Sequence, residues 1–191
     1  MFHSNTELLI DYWRGKRGSG AVPARTDIDP ADFAHLLPQT FIAGRLDPGV
    51  YPVRLAGEFI IELHGRGLRG DNILNLWSRL HRVELQSALD CMLRDPQPLV
   101  ISAEARTDAG LGARFEILFA PLSGPSGYAD RFIGLYQPTS AVHSMRGAPV
   151  RELLIRAVGG ADLRATPRPR GLLPRSASDR YLPVRKPLAR P

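Results

Sequence analysis

From Glu58 to His64 the apolar residues Phe59, Ile60 and Leu63 fall on one side of a helix. From Ala113 to Leu122 the rhythm changes to alternation, with Phe115, Ile117 and Phe119 on one face of a strand. The same two rhythms divide most of the chain. Residues 4–17 predict an amphipathic helix, with Leu8, Leu9, Tyr12 and Trp13 on one face and Ser4 and Glu7 as a capping box. Asp29-Pro30 predicts a brief helix that ends at Leu36, before Pro38. Thr40–Leu46 and Tyr51–Ala56 predict a hairpin across the turn Asp47-Pro48-Gly49, with Tyr51, Val53 and Leu55 facing one way and Arg54 the other.

After the helix at 58–64 comes a short apolar segment, Asn72–Trp77. Ser78 can cap a longer helix to about Arg94, in which Leu85, Ala88, Leu89 and Met92 share a stripe. Three strands follow: Pro98–Arg106, Ala113–Leu122 and Arg131–Gln137. Segregated strands with helices between them indicate an α+β domain built on an antiparallel sheet. Val150–Val158 reads as two helical turns. Beyond Gly159 proline recurs too often for helix or central strand, and the text reads as a disordered cationic tail. The expected division is a flanking helix over 1–20, a domain over 21–140 and a basic Pro/Arg-rich tail over 141–191.

The charge sharpens that division. The 191 residues carry a net charge of +6, yet positions 141–191 hold 11 Lys/Arg against 3 Asp/Glu. The body is therefore slightly acidic, which argues against a nucleic-acid-binding face on the domain. No run approaches the ~18 apolar residues of a membrane span, and the N-terminus lacks the order of a signal peptide, so a cytoplasmic protein is expected. The single cysteine, Cys91, forms no internal disulfide.

Residues 64–70, HGRGLRG, contain the G-x-G-x-x-G spacing of a dinucleotide loop. That fingerprint requires a strand immediately before it and parallel βαβ repetition around it. A helical pattern precedes it here. The plainer expectation is that Gly65 and Gly67 end a helix and start a turn, and that Gly70 takes a positive φ.

Several short segments carry a resemblance. They are Trp13 in the first helix, Arg25-Thr26-Asp27-Ile28-Asp29-Pro30, Leu37-Pro38, Arg54-Leu55-Ala56-Gly57, Leu68-Arg69-Gly70, Leu76-Trp77 and Pro121-Leu122. In this order, over about residues 7–140, they resemble the bacterial stand-alone PAS domain proteins. The resemblance implies a five-stranded antiparallel sheet with helices over one face, a pocket between them and a sensory or regulatory role. It also implies dimerisation through a flanking N-terminal helix. It names no ligand and no cofactor.

Candidate ligand contacts are Tyr51, Arg54, Arg69, Trp77 and His81. Arg54 offers a fork for an anion, or a partner for Glu58 or Asp71. Tyr51 offers a hydroxyl. His81, on the stripe of the long helix, offers an axial nitrogen for haem, as in PAS oxygen sensors. His64, at a helix end, reads as a cation favoured by the dipole. Cys91 lies in LDCML, without the Asn-Cys-Arg setting of flavin photochemistry. The five histidines show no metal-ligand spacing, and no nucleophile motif occurs, so no enzyme is expected. Two readings stand beside that of a PAS sensor for a small molecule or signalling protein: a haem- or metabolite-binding gas or redox sensor, and a protein reaching an acidic partner, nucleic acid or membrane through its tail.

Overall fold

The computed structural model describes residues 1–18, 20–125 and 127–160. Its centre is one antiparallel sheet of six strands: β1 Thr40–Gly44, β2 Val53–Ala56, β3 Leu99–Arg106, β4 Gly112–Ser123, β5 Ala129–Pro138 and β6 Glu152–Gly160. Their spatial order is β2-β1-β5-β4-β3-β6. Three α-helices accompany them: α1 Ser4–Arg17, α2 Glu58–His64 and α3 Arg82–Arg94.

Strand alternation sends two sets of side chains to two faces. On the inner face, Phe41, Phe115, Ile117, Phe119, Phe132 and Tyr136 meet Ile60 and Leu63 of α2 and Leu85, Leu89 and Met92 of α3. The rings interlock edge to face, with Phe41 5.5 Å from Phe119 and 5.7 Å from Tyr136. On the outer face, Leu9, Ile10 and Trp13 of α1 cover Val100, Leu118, Leu122, Ile133 and Leu135. The apolar stripe of α1 is thus satisfied by the chain's own sheet. Trp13 donates its indole N–H to the Pro121 carbonyl at 2.6 Å, which anchors the helix. Helices α2 and α3 thus lie over one face, and the flanking helix α1 docks on the other.

Several local expectations are corrected. The capping residue of α1 is His3, whose ring accepts from the Asn5 N–H, and Glu7 reaches the Phe2 N–H instead of closing a box with Ser4. The brief helix runs on as 3-10 turns from Pro30 to Gln39, kinked at Phe33 and containing Pro38. Helix α3 starts at Arg82, and Ser78 lies before it with its N–H given to the Leu153 carbonyl. Residues 150–158 are not helical. Strand β6 pairs with β3 along its length, from Arg106–Glu152 to Leu99–Gly160. The sheet thereby gains a sixth strand from the region read as tail, while the tail expectation for 161–191 lies outside the described residues. No helix among those described is long and apolar enough to cross a membrane.

Candidate functional site

The C-terminal end of α2 carries a buried histidine. Ile60, Leu63 and His64 are buried together on one side of the helix. Gly65 then closes it in the left-handed region, at φ 64°, where a side chain is disfavoured. The imidazole of His64 stands edge-on to the ring of Tyr136, 5.9 Å between centroids. His64 Nε2 and the Tyr136 hydroxyl are both buried, and neither has a hydrogen-bond partner among the described residues. Burial, reinforced by the Arg66 guanidinium, pushes the His64 pKa down to about 4, against the pull of the Val150 backbone. Burial alone raises that of Tyr136. The imidazole is consequently neutral and offers one nitrogen.

His64 borders a cleft of about 270 Å³, lined also by Arg66, Asn75, Leu76, Asp108 and the segment Pro149–Arg151. The segment acts as a strap. The Val150 N–H is given to the Leu63 carbonyl at 2.8 Å and the Arg151 N–H to the Arg106 carbonyl at 2.7 Å. It therefore ties the end of α2 to the end of β3 and leads directly into β6. Arg66 pairs with Asp71 and Arg151 with Asp108, the latter at 3.4 Å with both side chains largely exposed. Such exposed pairs are worth little and are easily exchanged for another anion. The free nitrogen of the neutral ring accepts, so the site suits a small polar molecule that pairs an O–H or N–H donor for His64 with an anionic oxygen for the arginines.

The residues singled out from sequence do not converge on this cleft. Tyr51 is fully buried and already gives its hydroxyl to Asp90 at 2.6 Å, so it ties the β2 end to α3. Trp77 is buried in the inner core, its indole N–H without a partner. Arg69 is exposed beside the buried Leu68. Arg54 lies on the outer face, in a hollow with Arg25, Ile42, Leu55 and Arg131. Neither anticipated ion pair, with Glu58 or with Asp71, is made among the described residues, and Asp71 binds Arg66 instead. His81 is the cap residue before α3 and stands outside the helix.

Neither pigment chemistry fits these residues. A haem on the inner face would need the space taken by Phe41, Phe119, Phe132 and Tyr136, and His81 is not on the helical stripe that faces it. Cys91 is exposed, 3.4 Å from Arg94, and faces away from the core where a flavin would lie. Among the described residues no cluster of three metal-ligating side chains occurs.

The glycines of HGRGLRG have separate tasks. Gly65 caps α2, and Gly70, at φ 90°, turns the chain so that its N–H reaches the Val53 carbonyl at 2.8 Å. Gly67 has ordinary φ and open space around it. The segment is a helix cap followed by a turn, and helix α2, not a strand, precedes it.

A family profile described as PAS domain matches residues 1–137. No match is found among curated proteins. Similar solved structures include a light-oxygen-voltage domain studied with a flavin analogue, at 14% identity and a TM-score of 0.47, with 60% of this chain and 86% of that one covered. A LOV protein from Rhodobacter sphaeroides is 14% identical at a TM-score of 0.45, with 60% and 70% covered.

Proposed function

This chain belongs to the PAS domain family, whose domains serve sensory and signalling roles through bound ligands or partners, and we propose that it senses a small polar molecule at the His64 cleft. It works by association and not by catalysis. One observation carries the reading: a buried, neutral imidazole with an unpartnered nitrogen, at the edge of a cleft closed by the strap into β6. A buried polar atom without a partner costs about 1–3 kcal/mol, and a ligand that supplies the missing hydrogen bond recovers that cost on binding. The strap then conveys occupancy. A ligand that holds Arg151 or Val150 fixes the entry to β6, the edge strand from which the chain continues to residues 161–191. A cytoplasmic location and a signalling protein as the downstream partner complete the proposal.

The test is denaturing mass spectrometry of protein purified under native conditions. The expected result is a small polar metabolite released from the wild type and absent from His64→Leu of unchanged fold. A wild-type protein that releases nothing, or a variant that retains the same molecule, contradicts it.

A further inference from the structure

The outer face of the sheet is only partly covered, and its open end is chemically distinctive. Strands β1 and β2 pair from Phe41–Ala56 to Ile42–Leu55, and then Ala43 pairs with Val53. Arg54 has no residue opposite it and forms a bulge. A bulge breaks the alternation of side chains and re-aims one of them. Here it leaves Arg54 exposed next to Leu55, which is itself 50% exposed although its sequence neighbours predict an inward face.

Around Leu55 lies a hollow of about 370 Å³. Its lining consists of Arg25, Ile42, Arg54, Leu55 and Arg131, three cations on an apolar floor with no carboxylate. Arg25 and Arg54 make no ion pair or hydrogen bond among the described residues. Arg131 touches Asp130 only at 3.7 Å. Arg25 opens the segment RTDIDP and Arg54 the segment RLAG, so two separate stretches of chain deliver their arginines to one place. Arg131 arrives from β5 through the pairing of Gly44 with Arg131.

We infer that this hollow is a second binding site, separate from the His64 cleft, for an organic phosphate with an apolar body. Guanidinium forks match phosphoryl oxygens, and a phosphomonoester carries about −1.5 to −2 charges at neutral pH, enough to answer two unpaired arginines. Ile42 and Leu55 take the apolar part. The volume is within the usual range of small-molecule sites, about 300–1,000 Å³.

The experiment titrates phenyl phosphate, and separately inorganic phosphate, into the full-length isotopically labelled chain at low salt. The amide resonances of Ile42, Arg54 and Leu55 are followed, which separates this hollow from the basic residues of 161–191. Saturable shifts at these three amides are expected, with phenyl phosphate binding more tightly than inorganic phosphate. Arg25→Gln and Arg54→Gln should each weaken it about tenfold, the size of one charge-assisted hydrogen bond. Arg54→Lys should restore part of the loss, and Leu55→Ser should erase the preference for the phenyl ester. The inference is overturned if the shifts fall only outside the hollow, if the two probes bind equally, or if a folded Arg54→Gln binds phenyl phosphate as the wild type does.

Discussion

The two faces of the sheet are built from the same strands and reach opposite ends. The inner face is closed at its centre, where Phe41, Phe115, Phe119, Phe132 and Tyr136 pack together beneath α2 and α3. The outer face is closed only where α1 and the 3-10 segment lie, and its β1–β2 end is open and cationic. The inner face therefore supplies stability, and both proposed sites lie away from it, one beside the buried His64 at the end of α2 and one at the uncovered outer corner.

The largest expected effect sharpens the claim that the inner face is fully packed. A Cβ at Gly134 would lie 2.1 Å from the Phe41 ring and 2.6 Å from the Leu118 carbonyl. Gly134→Ala should cost about 3 kcal/mol or more, because neither the ring nor the strand can retreat. Urea unfolding measures it, and a loss below about 1 kcal/mol would mean a looser core.

The next effect is acid sensitivity. The folded pKa of His64 is depressed to about 4, below its unfolded value of 6.5. The unfolded chain binds the proton first, so this contribution is complete above pH 6.5 and is lost as pH falls towards 4. The loss is at most about 3 kcal/mol. His64→Leu should flatten the stability profile across that window, and an unchanged profile would count against a buried neutral ring.

Two smaller substitutions set the faces against each other. Trp13→Phe, on the outer face, leaves the buried Pro121 carbonyl without its donor and should cost about 2 kcal/mol. Tyr136→Phe, on the inner face, removes a hydroxyl that has no partner and should change stability by less than about 1 kcal/mol, in either direction. Equal costs for the two would erase the distinction between a satisfied and an unsatisfied buried group.

Much of this architecture was legible in the chain. The period-3.6 pattern marked α2 at its observed bounds, and the alternation of Phe115, Ile117 and Phe119 marked β4 and its inward face. Strand β6 was not legible, because ELLIRAV satisfies a helical and an extended period equally, and only pairing with β3 selects between them. Leu55 was misplaced because a bulge is a property of two strands and leaves no mark on one. His64 was dismissed as a helix-end cation, although Ile60, Leu63 and His64 stand at i, i+3 and i+4 and share the buried stripe. That spacing was the available signal. The meeting of Arg25, Arg54 and Arg131 depends on the register of β1 with β2 and β5, which lies beyond local pattern.

The central claim, that occupancy of the His64 cleft is read through the strap into β6, is tested most directly by hydrogen–deuterium exchange over residues 149–160. Protein purified natively should be compared with the same protein after unfolding, dialysis and refolding. The account predicts slower exchange at Val150, Arg151 and the start of β6 in the native preparation. Identical exchange there, in preparations of equal stability, would contradict it.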